Sequence, residues 1–127
     1  MKNAIDWFDV PAADFERAKK FYATIFDKEV KDLPIQTPWK MAGLPNYDSA
    51  QRGVGGGILW GTGYKLSNTG VVVYLNAGVD FDNVLARIPK AGGKILVDKR
   101  PVGEKAEYGY LAYFLDSEGN RLGLRST

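Results

Sequence analysis

Apolar and polar positions along the chain form short alternating runs, interrupted twice by helical spacing. Residues Ala4 to Val10 alternate and are rich in apolar and aromatic types, and Pro11 closes the run, which predicts a short strand. Asp14 then offers a helix N-cap. Phe15, Ala18, Tyr22, Ile25 and Phe26 recur at three- and four-residue spacing, with Arg17 and Lys19 on the opposite face, predicting an amphipathic helix of roughly three to four turns. Strand candidates follow at Glu29 to Leu33, Trp39 to Ala42 and Gly55 to Trp60, punctuated by Pro34, Pro38, Pro45 and the polar cluster Asn46 to Ser49. The order then recurs. Val71 to Leu75 is a continuous apolar run suited to a buried strand. Asp80 opens a helix with Phe81, Val84, Leu85 and Ile88 on one face, Pro89 disturbs its end, and Gly92-Gly93 closes it. Lys94 to Val97, Tyr108 to Leu115 and Arg121 to Arg125 complete a second set of strands.

Each half therefore reads strand, helix, strand, strand, strand, and the halves superpose at an offset of 66 residues. Asp14-Phe15-Glu16-Arg17-Ala18 meets Asp80-Phe81-Asp82-Asn83-Val84, and Gly57-Ile58-Leu59 meets Gly123-Leu124-Arg125. The expected fold is α+β: two tandem βαβββ modules, about 1–62 and about 68–127, packed around one cleft within a single domain spanning 1–127. Strand alternation assigns faces. With Phe8, Val10, Leu122 and Leu124 toward the helices, Ile5, Trp7, Asp9, Gly55, Gly57, Leu59, Arg121, Gly123 and Arg125 turn toward the cleft. The 66-residue offset adds Val71, Val73 and Leu75, and a slip of one residue would exchange the two faces.

Composition narrows the chemistry. Of 127 residues, 17 are basic and 15 acidic, scattered so that no field of one sign arises, which argues against nucleic acid as a partner. No apolar run is long enough to span a membrane, and no basic segment followed by a hydrophobic stretch opens the chain, so a cytoplasmic location is expected with no membrane partner. Cysteine is absent, which excludes disulfides and thiolate chemistry. Histidine is absent as well, and with it the commonest metal ligand and the usual proton carrier near neutral pH.

Two segments carry a family resemblance. Asp14-x-x-Arg17-Ala18-x-x-Phe21-Tyr22-x-x-x-Phe26 and Asp116-x-Glu118-Gly119-Asn120-x-x-Gly123-Leu124 resemble the vicinal oxygen chelate superfamily of glyoxalases, bleomycin and fosfomycin resistance proteins and extradiol dioxygenases. In its metalloenzymes the resemblance implies one divalent ion held by side chains on the first and last strands of each module. Carried over, those positions are Trp7, Gly57, Val73 and Gly123, and none has a side chain able to coordinate a metal. No metal or other cofactor is therefore expected. Asp9 with a neighbouring glutamate would at most hold Mg or Ca weakly.

A cleft lined this way favours a flat or apolar small molecule. Trp7 either offers a ring face for stacking or fills the space of the missing ion. Asp9, Arg121 and Arg125 either pair with one another or with solvent, or an arginine receives an anionic group of the ligand. Trp39, Met41 and Tyr47 suit either the mouth of a pocket or a dimer contact, and Trp60 and Tyr64 share that ambiguity. The candidate ligand-binding set is thus Trp7, Asp9, Trp39, Met41, Leu59, Val73, Arg121 and Arg125. Gly53 to Gly57 lacks the lysine and helix of a phosphate loop and reads as a bending strand. Lys65, Lys94 and Tyr110 are titratable, yet no spacing pairs them with a partner. The expected function is metal-independent binding, or sequestration, of a small molecule, and the resemblance implies a homodimer. The alternatives are a metal-dependent lyase, isomerase or thiol transferase working through displaced ligands, and an interaction module with a packed cleft.

Overall fold

The computed structural model describes residues 4–45 and 53–126. Its elements run β1 (Trp7–Pro11), α1 (Phe15–Phe26), β2 (Asp32–Leu33), β3 (Lys40–Gly43), β4 (Gly55–Trp60), β5 (Tyr74–Asn76), α2 (Phe81–Lys90), β6 (Lys94–Pro101), β7 (Tyr110–Leu115) and β8 (Arg121–Ser126). Each module supplies one four-stranded sheet, ordered β1-β4-β3-β2 and β5-β8-β7-β6. The first and last strands of each module, β1 with β4 and β5 with β8, are parallel neighbours, and the other pairs are antiparallel. This is the α+β arrangement of two βαβββ modules. No helix among the described residues is long and apolar enough to cross a membrane.

Local chemistry explains the helices. The Asp14 carboxylate accepts the Arg17 N–H at 3.0 Å, satisfying one of the first-turn donors that lack a partner within a helix. Helix α1 buries Phe15, Ala18, Phe21, Tyr22, Ile25 and Phe26, the apolar face of its 3.6-residue period. Helix α2 buries Phe81, Val84, Leu85 and Ile88 in the same way, and Pro89 sits inside its last turn. It begins from a 3₁₀ turn at Gly78–Asp80, without a side-chain cap.

One core joins the modules through these helix faces. It includes Val10, Ala42 and Ile58 from the first sheet and Leu75, Ala112, Phe114, Leu122 and Leu124 from the second, with α1 and α2 in contact. The Phe21 ring stacks on Phe114 at 6.3 Å between centroids, and Arg87 donates to the Ile25 carbonyl at 3.2 Å. Each such fully buried large side chain contributes roughly 1.5–3 kcal/mol.

The turn between β7 and β8 latches the second module onto the first. Asp116 Oδ1 accepts the N–H groups of Glu118 and Asn120, both at 2.9 Å, and Tyr22 donates its hydroxyl to Oδ2 at 2.7 Å. Asn120 Nδ2 reaches the Pro11 carbonyl at 2.7 Å. Glu118, its side chain fully buried, accepts from Arg17 Nε and from the Asp14 N–H, each at 2.7 Å. Burial pushes the Glu118 carboxyl up, but Arg17 and the Asp14 N–H outweigh it and hold the group below its ordinary value. Asp116 lies above its ordinary value because burial dominates, and the buried Tyr22 hydroxyl is raised for the same reason. The two segments that carry the family resemblance thus meet in space.

One register differs from the expectation. The run Val71 to Leu75 is not a buried strand throughout: β5 starts only at Tyr74, and Val71 is 91% exposed. Leu75 lies in the core and Val73 packs against it, so neither faces the cleft side. Asp9 pairs with Gly57, whereas Tyr74 pairs with Gly123, so β5 is one residue out of the offset that fits the helices and last strands. The path from Tyr74 to Asp80 is one residue longer than that from Asp9 to Asp14. The 3₁₀ turn with Gly78 at φ +52° takes up the difference.

Candidate functional site

On the first sheet, the face turned from the helices carries Trp7, Asp9, Gly57, Leu59 and Met41. The Trp7 ring lies against Gly57: a Cβ added there would come within 3.2 Å of Trp7 Cζ2, 3.1 Å of Met41 Cγ and 3.2 Å of the Ala42 carbonyl. The Trp7 indole N–H donates to Asp9 Oδ1 at 3.1 Å. On the second sheet the Tyr74 ring covers Gly123 so closely that a Cβ would collide with it. The space left by each glycine is therefore filled by an aromatic ring from the adjacent parallel strand.

These positions do not fit the divalent ion that the fold family implies. With β5 in its observed register, the counterpart of Trp7 is Val72 and not Val73, and none of Trp7, Gly57, Val72 and Gly123 has a side chain able to coordinate a metal. The Tyr74 hydroxyl is engaged with that of Tyr113 at 2.6 Å. Among the described residues no group of three or more histidine, cysteine or carboxylate side chains could hold a metal.

A pocket of about 340 Å³ opens beside this filled position, lined by Asp9, Ile35, Gln36, Trp39, Met41, Leu59 and Tyr64. Strands β1, β3 and β4 supply Asp9, Met41 and Leu59 as its floor. Leu59 is 3% exposed although it lies outside the helix-side core. The wall is Trp39, which packs on Gly61 and donates its indole N–H to the Thr62 carbonyl at 3.2 Å. Among the described residues, Asp9 is the pocket's single charged group and no cation pairs with it. Four of the candidate residues, Asp9, Trp39, Met41 and Leu59, thus come together. Trp7 stands next to them, and Val73 is withdrawn to the core side. Ile35 and Gln36 are lining residues that sequence reasoning missed, because they lie between Pro34 and Pro38 where no periodicity assigns a face. Tyr47 lies outside the described residues.

Arg121 and Arg125 lie on the second sheet, at either side of Gly123 on one face of β8. Asp9 does not pair with them. Each donates through Nη2 to a carbonyl, Arg121 to Gly70 at 3.1 Å and Arg125 to Tyr108 at 2.8 Å. Trp60 is covered by the Lys40 ammonium at 5.2 Å, and Tyr110 by that of Lys99 at 4.4 Å, away from the pocket.

The paired parallel first and last strands, repeated in two modules, define the vicinal oxygen chelate fold, known from glyoxalase and bleomycin resistance proteins. A glyoxalase/bleomycin resistance protein from Albidiferax ferrireducens is similar over 98% of this chain and 99% of its own, at 19% identity and a TM-score of 0.66. The fosfomycin resistance protein FosX from Listeria monocytogenes is similar over 100% and 95%, at 17% identity and a TM-score of 0.67. A glyoxalase I variant from Zea mays matches 95% of this chain but only 45% of its own length, at 21% identity and a TM-score of 0.69. The likeness is one of fold. No protein family model and no curated protein matches the sequence.

Proposed function

We propose that the protein binds a flat, largely apolar small molecule without a metal, holding it in the pocket between Trp39, Tyr64, Met41 and Leu59. The observation that carries this reading is that the Trp7 and Tyr74 rings fill the space beside Gly57 and Gly123, while a largely apolar pocket lies open next to Trp7. Its volume of about 340 Å³ lies within the range of small-molecule sites. Asp9 and Gln36 supply the polar contacts and favour a ligand that donates hydrogen bonds there. An anionic group does not suit this pocket, because Asp9 would repel it. Because Trp7, Gly57, Val72 and Gly123 offer no metal ligand, the reading is one of holding a ligand and not of converting it.

A homodimer belongs to the same proposal. Ile5 at 60% exposure, Trp7 at 38% and Tyr74 at 41% leave apolar surface on both open faces of a single copy.

Titration with phenylnaphthylamine, a neutral flat probe whose emission rises in apolar surroundings, tests the pocket. Saturable binding that is unchanged by a chelator and roughly tenfold weaker in Trp39→Ala is expected. Binding that needs an added divalent ion, or that Trp39→Ala leaves intact, would refute the reading.

A further inference from the structure

On the open face of the second sheet, hydrogen-bond donors gather around Gly123. Tyr74 of β5 and Tyr113 of β7 both stand in register with this glycine, from opposite sides. Because Gly123 has no side chain, the Tyr74 ring lies over it, and the Tyr74 and Tyr113 hydroxyls meet at 2.6 Å. Along β8 itself, Arg121 and Arg125 project from the same face two residues before and after, so the four side chains form a cross centred on Gly123.

The cross is rich in donors and poor in acceptors. Neither arginine has a carboxylate partner among the described residues. Each Nη2 is held by a neutral carbonyl, and the Nε of both is buried with no hydrogen-bond partner among the described residues. Two such groups in one patch are uncommon, because a shielded donor without an acceptor is costly. The Arg125 guanidinium also lies 5.9 Å from the Tyr74 ring centroid, which fixes it beside the hydroxyl pair. The hydrogen bond to Tyr113, with a smaller effect of burial, raises the Tyr74 hydroxyl above its ordinary value, so it keeps its proton at neutral pH. In a pair of neutral hydroxyls, one donates to the other and the second proton is free to point outward.

We propose that Arg121, Arg125 and the Tyr74–Tyr113 pair form an oxyanion-binding site, whose ligand carries a phosphoryl or carboxylate group. Both are planar or tetrahedral sets of acceptor oxygens, which guanidinium forks and phenol donors match. The site lies on the second sheet, whereas the pocket at Trp39 belongs to the first, so either can stand without the other.

Thermal unfolding and calorimetric titration of the whole chain at neutral pH, with inorganic phosphate and with acetate against chloride at matched ionic strength, test this. At least one of the two oxyanions is expected to bind and to raise the unfolding temperature above chloride. Phosphate alone assigns a phosphoryl ligand, and a comparable effect of acetate assigns a carboxylate. Arg121→Gln and Arg125→Gln are each expected to weaken the interaction on the order of tenfold or more. Arg100→Gln, an exposed control on β6, is expected to leave it unchanged. If either arginine variant fails to fold, Tyr113→Phe removes a donor without opening space and must still weaken binding severalfold. The proposal is overturned if neither oxyanion acts beyond chloride, or if the variants that fold bind as the parent does.

Discussion

Gly57 and Gly123 each give up the volume of a side chain to a ring from the neighbouring parallel strand, and this substitution decides what the site can hold. Since Tyr74 already occupies the space above Gly123, Gly123→Ala overpacks it and is expected to cost about 1–3 kcal/mol, read as a lower urea midpoint with an unchanged slope. Gly57→Ala meets the rigid Ala42 carbonyl as well as flexible Met41, and a loss of similar size is expected. An unchanged midpoint in both variants would mean that the rings are not packed there. The missing donors were legible in the sequence, because residue type alone settles them. Whether Trp7 fills or lines the site was not, because two side chains of equal reach can take either role until Met41 and the Ala42 carbonyl are placed around Gly57.

Helices α1 and α2 share a repeat but not a start. Asp14 caps α1 through its carboxylate, whereas Asp80 spends its carboxylate on Asn83 at 2.7 Å and Arg87 at 3.3 Å. Asp14→Ala is therefore expected to cost about 1 kcal/mol, and Asp80→Ala less, because its carboxylate caps no helix N–H and its ion pair is only partly buried. Equal losses in chemical denaturation would contradict this difference. The same junction explains why β5 departs from the expected Val71 to Leu75. Helix periodicity and the turn residues fixed α1, α2, β4 and β8 closely, since amphipathic spacing has a phase. Val71-Val72-Val73 is apolar at every position and carries no phase, so nothing in it reveals the slip that the 3₁₀ turn introduces. The pocket residues Ile35 and Gln36 were hidden for a related reason, since a proline-flanked segment has no period to read.

At the scale of the molecule, the modules are tied by the turn from Asp116 to Asn120 as well as by the core. Glu118 carries a folded-state carboxyl value below its unfolded one, so its contribution is present above the unfolded value and lost as pH falls through the folded one. Asp116, raised by burial, acts with the opposite sign and does not drive acid unfolding. Glu118→Gln is expected to cost about 2–3 kcal/mol at neutral pH, and the gap to the parent to close as the pH drops below the folded value of Glu118. A gap independent of pH would contradict the assignment. The open faces lead to a further outcome: sedimentation is expected to show a dimer, and Ile5→Asp, placed on exposed apolar surface, to shift it toward monomer while leaving the unfolding cooperative. The central claim is the proposal that the chain binds its small-molecule ligand without a divalent ion. It is tested most directly by thermal unfolding of purified, dialysed protein with added Ni, Zn or Mn, alongside elemental analysis. A site filled at a hundred times its dissociation constant would stabilise the chain by about 2.7 kcal/mol, raising its unfolding temperature by roughly 10 °C. The account predicts no retained stoichiometric ion and no rise beyond that given by magnesium chloride at equal ionic strength. One ion retained per chain, or a rise of that size with any of the three metals, would contradict it.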